Sequence, residues 1–301
     1  MNGAESLVRT LLASGVDTCF ANPGTSEMHF VAALDRVPGM RWVLCLFEGV
    51  ATGAADGYAR MTKKPAATLM HCGPGLPNGL SLLHNAKRAR VPIVNIVGDQ
   101  ATYHAPLDPP LSTDTEGLSR PVSAWVRRVT KTETLGADAA AAVQAAHRPP
   151  SGIATLILPS DVSWNEGGAV GTALPVPELS KVSADAIRDA ARTVASREPA
   201  LLLLNGDAVS KEGLRLAHRI AAKTGALLAA PTFNTKLARG GGRYPLERIP
   251  YIVDMALAKY AGIKHLILVG AGEPVTFFAY PGKPSFSTPS DAKVHMLARP
   301  E

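Results

Sequence analysis

Short apolar runs alternate with helix-period stretches along almost all of this 301-residue chain, and that alternation admits few folds. Runs such as Ala66–Met70, Val91–Gly98 and Ile153–Leu158 are apolar at nearly every position, as strands covered on both faces are. Strands of that kind belong to parallel sheets clothed by helices, so the chain reads as α/β with two doubly wound parallel-sheet domains. In the first, strands are expected at Asp17–Ala21, Trp42–Phe47, Ala66–Met70, Val91–Gly98, Val126–Thr132 and Ile153–Leu158. Helices are expected at Met28–Leu34, after Phe47, from about Gly79, and in the alanine-rich stretch before Ile153. In the second, Ala200–Leu204, Ala226–Ala230, His265–Val269 and Lys293–Leu297 read as strands, with helices at Glu212–Lys223 and Tyr251–Tyr260. Between them Gly167, Gly168, Gly171, Pro175 and Pro177 replace the apolar periodicity. The expected division is a domain over 1–165, a linker over 166–182 and a second domain over 183–301.

Within this frame Glu48 is the most informative residue. The apolar run Trp42-Val43-Leu44-Cys45-Leu46-Phe47 ends on it, and the small-residue segment Gly49 to Arg60 begins after it, so a lone carboxyl stands at a strand-to-helix junction. If the run is a buried strand, the carboxyl sits where its charged form is disfavoured, a setting suited to proton transfer. The alternative is a helix-capping acid, a role that Asp, Ser, Thr and Asn fill better than Glu.

Three segments, Gly15-Val16-Asp17-Thr18-Cys19-Phe20-Ala21-Asn22-Pro23-Gly24-Thr25-Ser26-Glu27, Phe47-Glu48 running into Ala54-Ala55-Asp56-Gly57-Tyr58-Ala59-Arg60, and His71-Cys72-Gly73-Pro74-Gly75-Leu76-Pro77-Asn78-Gly79, share an order and spacing. Together they resemble the pyrimidine-binding domain of thiamine-diphosphate enzymes of the acetolactate synthase and benzoylformate decarboxylase type. The resemblance implies a thiamine-diphosphate-binding fold followed by a Rossmann-like central domain. It implies that Glu48 hydrogen-bonds the aminopyrimidine ring nitrogen and promotes the imino tautomer that removes the thiazolium C2 proton. Thr25 matches a substrate-contacting serine, and His71 a histidine that transfers protons. Pro23, Gly24, Gly73, Gly75 and Asn78 fall among the expected cofactor contacts, the glycines removing Cβ atoms from a turn close to the pyrimidine.

Each of these residues also has a plainer reading. Thr25 or Ser26 could cap the next helix, and a histidine at a strand end is often structural. Glu27 is read as a first-turn helix residue of little consequence. Cys19, Cys45 and Cys72 show no metal-ligand spacing and read as small buried hydrophobes, so no metal site is expected in this chain.

Two departures from the family pattern bear on function. Pro274 to Pro284 offers phenylalanines and alanine where benzoylformate decarboxylase has a second catalytic histidine. The family's diphosphate and magnesium motif, Gly-Asp-Gly, does not occur; Gly98-Asp99-Gln100 and Gly206-Asp207-Ala208 are the nearest. Thiamine diphosphate is therefore the expected cofactor, with Mg2+ reached through a third domain missing here, and this chain alone is expected to be inactive. In the central domain Lys236, Arg239, Gly240, Gly241, Gly242 and Arg243 could face a flavin diphosphate, but the Gly-x-Gly-x-x-Gly context is absent, and an empty domain is preferred over FAD.

The expected activity is decarboxylation or carboligation of a 2-oxo acid, a small-molecule substrate. Two alternatives stay open: a 2-hydroxyacyl-CoA or oxalyl-CoA type lyase, and a non-catalytic binding or assembly module that kept the fold. Because family active sites lie between subunits, a homodimer or homotetramer is implied. The formal charge of +6 comes from scattered Lys and Arg, so no nucleic-acid partner is expected. No leader pattern opens the chain and no apolar run approaches the roughly 20 residues that span a bilayer, so no membrane partner and a cytoplasmic location are expected.

Overall fold

The computed structural model describes residues 1–300. Its contacts separate two units, Met1–Glu178 and Leu179–Glu301. In the first unit the elements are α1 (Gly3–Ala13), β1 (Thr18–Asn22), α2 (Met28–Arg36), β2 (Arg41–Leu44), α3 (Glu48–Thr62), β3 (Ala66–Met70), α4 (Cys72–Arg88), β4 (Ile93–Asp99), α5 (Thr115–Ser119), β5 (Trp125–Arg128), α6 (Thr132–His147), β6 (Ile153–Pro159) and α7 (Ser160–Trp164). The six strands form one parallel sheet in the order β2-β1-β3-β4-β6-β5.

Each face of that sheet carries its own apolar layer. Leu7, Val8 and Leu11 of α1, Phe30 and Ala33 of α2, and Leu135, Ala139 and Val143 of α6 pack on one side. Ala55 and Ala59 of α3, with Leu76, Leu83 and Ala86 of α4, cover the other. The 3.6-residue period of small and apolar side chains on these helices is what lets two layers grip one sheet.

The strand read as Trp42–Phe47 differs from expectation. β2 ends at Leu44 and lies at the sheet edge, while Leu46 is 92% and Phe47 48% exposed. An edge strand is covered on fewer sides, so its apolar residues did not signal burial. The helix expected from about Gly79 begins at Cys72 instead. Pro74 occupies the first turn, where an amide hydrogen has no intrahelical partner, and Pro77 forgoes a single bond, so the Gly/Pro segment that reads as a turn is helical.

The stretch expected as a linker is docked over its first part. Ser6 Oγ donates to the Ala169 carbonyl at 2.5 Å, the Gly171 amide to Thr10 Oγ1 at 2.9 Å, and Gln144 Nε2 to the Pro175 carbonyl at 2.7 Å. A Cβ on Gly171 would collide with the Gly136 carbonyl, so the absence of side chains at both glycines sets this close backbone approach.

The second unit contains α8 (Ala184–Ala195), β7 (Ala200–Leu204), α9 (Lys211–Thr224), β8 (Leu227–Ala230), β9 (Glu247–Arg248), α10 (Val253–Tyr260), β10 (His265–Val269) and β11 (Lys293–Ala298). Its five strands are parallel in the order β11-β10-β7-β8-β9. Ala190, Leu214 and Ala217 cover one face, Ala256 and Tyr260 the other. The fold class expected from the alternation therefore holds in both units. The short β9 and the helices α1, α5, α7 and α8 are not among the elements expected from the sequence.

Candidate active site

Strand order decides where the first unit can bind a ligand. The chain leaves β1 to one side for β2 and then crosses to the other for β3, so a crevice opens at the carboxyl ends of β1 and β3. The register places Asn22 beside Met70 and Met70 beside Val97. The next residues, Pro23, His71 and Gly98, therefore leave the sheet edge side by side.

Glu27 lies at the centre of this crevice. Thr25–Glu27 forms a 3-10 turn, and the Glu27 carboxyl, 0% exposed, folds back into the crevice. Its Oε2 accepts from the Gly24 amide at 2.7 Å and lies 2.8 Å from His71 Nδ1. Its Oε1 accepts from Ser26 Oγ at 2.5 Å. A Cβ on Gly98 would occupy the space of the Glu27 carboxyl, and a Cβ on Gly24 that of the His71 ring, so these two glycines make room for the pair. The reading of Glu27 as an inconsequential first-turn residue is thus corrected: it is buried and multiply bonded.

Cys72 completes the cluster. It follows His71 with a left-handed backbone, φ 47°, and its thiol lies 2.8 Å from Ser26 Oγ and 3.8 Å from Glu27 Oε1. Burial pushes that thiol up to about 12, with the Glu27 and Asp99 charges adding to the rise. Asp99 is buried at the end of β4 and pairs with Arg128 Nη1 at 2.6 Å; Arg128 also reaches Glu116 at 3.0 Å and Thr115 at 3.1 Å.

Glu48 occupies the first position of α3 and is 7% exposed. Its burial comes from the α3–α4 contact rather than from the preceding strand. Thr52 Oγ1 donates to the Gly79 carbonyl at 3.2 Å, and a Cβ on Gly79 would stand 2.9 Å from the Met70 sulfur and 3.0 Å from Thr52 Cγ2. This small-residue seam brings the helices close enough for Asn78 Nδ2 to donate to Glu48 Oε2 at 3.0 Å. On the other carboxyl oxygen, a Cβ at Gly75 would stand 3.0 Å from Oε1 and 3.4 Å from His71 Cβ. Gly75 therefore separates the Glu48 and His71 halves of the site. No ion pair to Glu48 is present among the described residues.

The remaining expected residues are placed differently. Thr25 is exposed on its turn, and its hydroxyl makes no hydrogen bond to another side chain among the described residues. Pro23 is half-buried at the end of β1. At Gly73 the close approach is made by the protein itself: a Cβ there would strike the Leu111 carbonyl, to which the Gly73 amide donates at 3.2 Å. The sequence reading missed Gly98 and the Glu27 contacts. A buried acid three residues after an Asn-Pro-Gly was the available signal, but partners 44 residues away left no local trace.

The chain is similar to known proteins. Residues 1–119 match the family model described as the thiamine pyrophosphate enzyme, N-terminal TPP binding domain. Over 300 residues the chain is 54% identical to a candidate acetolactate synthase large subunit, IlvX, of Mycobacterium tuberculosis, covering 100% of this chain and 58% of that protein. A benzoylformate decarboxylase of Pseudomonas aeruginosa is 29% identical over 201 residues, 63% of this chain and 36% of that protein. The solved structure of a candidate thiamin diphosphate-dependent enzyme from Mycobacterium smegmatis superposes with a TM-score of 0.81 at 25% identity, over 98% of this chain and 56% of that one. The chain spans between 36% and 58% of the length of these proteins. No helix of the described residues is long and apolar enough to cross a membrane.

Proposed function

Because this chain belongs to the thiamine-diphosphate-dependent enzymes of the acetolactate synthase and benzoylformate decarboxylase family, we propose that its first unit supplies the aminopyrimidine half of an active site that decarboxylates a 2-oxo acid or transfers the resulting acyl unit. The carrying observation is the Glu48–Asn78 pair: a buried carboxyl held by one amide, with Oε1 turned toward Gly75 and no cation against it among the described residues. Such a group fits a ligand nitrogen that must exchange a proton. Pro23 and Gly75 would line the pyrimidine by backbone atoms, while Gly24 and Gly73, whose amides and open sides are taken by Glu27, His71 and Leu111, would shape the crevice around it. The cofactor, when bound, supplies the thiazolium carbon acid and the electron sink for loss of carbon dioxide.

The protein's own residues divide the remaining work. Glu48 holds and returns a proton at the aminopyrimidine ring nitrogen, and Asn78 fixes the carboxyl plane. His71 moves protons at the substrate, with Glu27 on Nδ1 setting the tautomer so that Nε2 is free to act. The tautomer is inferred from the 2.8 Å contact. Thr25, exposed at the crevice, donates to the substrate carboxylate.

Diphosphate and Mg2+ contacts are assigned outside these 301 residues, since the Gly-Asp-Gly motif does not occur within them. Exposed Leu44, Leu46, Phe47 and Val50 around the start of α3 support a homo-oligomer in which another protein surface covers the Glu48 mouth. For the second unit the flavin-free reading is kept. Arg239 donates to the Leu246 carbonyl and Arg243 to the Gly240 carbonyl, so the guanidinium groups of the glycine-rich loop are engaged with backbone.

The test is a chimera that joins this chain in frame to the remainder of the 54%-identical relative, given thiamine diphosphate, Mg2+ and a panel of 2-oxo acids. Carbon dioxide release that requires Glu48 is the expected result. A folded, cofactor-loaded chimera inert toward every 2-oxo acid would favour the non-catalytic module.

A further inference from the structure

Glu27 and His71, which the proposed chemistry uses, share the crevice with a thiol, Cys72, that it does not use. Glu27, His71 and Cys72 offer a carboxylate, an imidazole and a thiol whose ligand atoms all lie within 4.8 Å of one another. We propose that these three side chains form a binding site for a borderline-soft divalent cation of the zinc class, supported by Ser26, at which the cation displaces protons and takes His71 out of action.

The geometry is close to what such an ion requires. With bonds of about 2.0–2.1 Å to nitrogen and oxygen and about 2.3 Å to sulfur, tetrahedral ligands sit about 3.3–3.7 Å apart. Here His71 Nδ1 and Glu27 Oε2 are 2.8 Å apart, and Cys72 Sγ and Glu27 Oε1 3.8 Å. Adjustments of a few tenths of an ångström to about 1 Å suffice, and the half-exposed His71 ring can supply them. The left-handed backbone at Cys72 allows two adjacent residues to aim at one point, so sequence spacing gave no metal pattern.

Charge favours the ion as well. Carboxylate and thiolate together balance a divalent cation, and the imidazole binds neutral, so the buried site is neutral when filled. Asp99 adds negative potential at the thiol; Arg128, the cation next to Asp99, is already paired with it and with Glu116; and the Glu48 carboxyl stands on the other side of Gly75 from His71. The proton ledger is simple. In the filled site the imidazole carries its proton on Nε2, the carboxyl is ionised, and the thiol proton has left to solvent. Ser26 Oγ, bonded to Glu27 and lying 2.8 Å from Cys72 Sγ and 3.2 Å from His71 Nδ1, touches all three ligands from outside. Three protein ligands leave a fourth position open, as in zinc sites that bind exchangeable molecules.

The loss of His71 action rests on the proton role proposed for it, whereas cation binding is read without substrate or cofactor, so the two can fail separately. The reduced chain is titrated with cobalt(II) chloride in metal-free buffer. The near-ultraviolet thiolate-to-cobalt charge-transfer band and the visible bands of tetrahedral cobalt are followed, and zinc chloride is then added as competitor. One cobalt per chain, with a charge-transfer band that zinc erases, is expected. Cys72→Ser removes the band, His71→Gln weakens binding, and Ser26→Ala weakens it by about 10–100-fold. His265→Gln, in the second unit, leaves it unchanged. His71 is half-exposed, so its variant remains a folded reporter should the buried Cys72 substitution unfold the chain. Absence of a charge-transfer band in large cobalt excess, or cobalt affinity indifferent to His71→Gln, overturns the proposal.

Discussion

Asn78 Nδ2 donates to Glu48 Oε2 at 3.0 Å across the seam between α3 and α4, and this bond holds a buried carboxyl that has no ion pair among the described residues. It depends on backbone proximity at Gly75 and Gly79, where side chains would push the helices apart. The site is therefore a property of a helix pair rather than of a strand end.

Replacing Glu48 by Gln keeps the shape and the Asn78 contact but cannot exchange a proton. In the cofactor-loaded enzyme turnover should fall by roughly 10²–10⁴-fold, about 3–5 kcal/mol of barrier, with stability unchanged or slightly raised. Proton exchange at the cofactor thiazolium carbon, followed by NMR, checks this. Exchange at the wild-type rate in Glu48→Gln would reduce the residue to a structural acid.

Glu27→Gln should cost folding stability, because its carboxylate accepts from Gly24 and Ser26 and faces His71 while fully buried. An amide turns one acceptor into a donor and leaves a buried partner unmatched, a loss of about 1–3 kcal/mol. Urea midpoints of the variant and of the wild type measure it. A midpoint unchanged by the substitution would restore the view of Glu27 as a bystander.

Two glycine substitutions should move stability in opposite directions. Gly98→Ala drives a methyl into the Glu27 carboxyl and should destabilise by about 1–3 kcal/mol. Gly57→Ala, inside α3 with open space around the added methyl, should stabilise by about 0.5–1 kcal/mol through helix propensity. Thermal midpoints of the two variants should straddle the wild type.

Acidification should weaken the fold through histidines whose surroundings disfavour the charged ring, the half-buried His147 first. Partial burial lowers His147 below its ordinary 6.5, so the unfolded chain takes up a proton there more readily than the folded one. Its contribution is complete above about pH 6.5 and is lost as the pH falls through and below that value. Urea midpoints at about pH 8 and about pH 5.5 should show the decline, with a shallower one in His147→Gln. Equal slopes in variant and wild type would remove His147 from the account.

Much of this protein was legible in its sequence because the determining physics is local. Runs such as Ala66–Met70 and Ile153–Leu158 are apolar at nearly every position, which only strands covered on both faces sustain, and both lie fully buried in their sheet. Motif order placed Glu48, His71 and Asn78 together, and the first two are lodged in the crevice while Asn78 holds Glu48. The tertiary structure decided what depends on neighbours distant in sequence. Trp42–Phe47 looks like a core strand, yet its place at the sheet edge leaves Leu46 and Phe47 in the open. His71–Asn78 looks like a turn, yet packing on α3 holds it as helix from Cys72 onward. Glu27 looks like a helix-start acid until the register of β1, β3 and β4 sets Pro23, His71 and Gly98 side by side and gives its carboxyl a place to go. Periodicity reports which face of an element is buried; it carries no record of which residues from other strands will stand across from it, and that pairing makes the site.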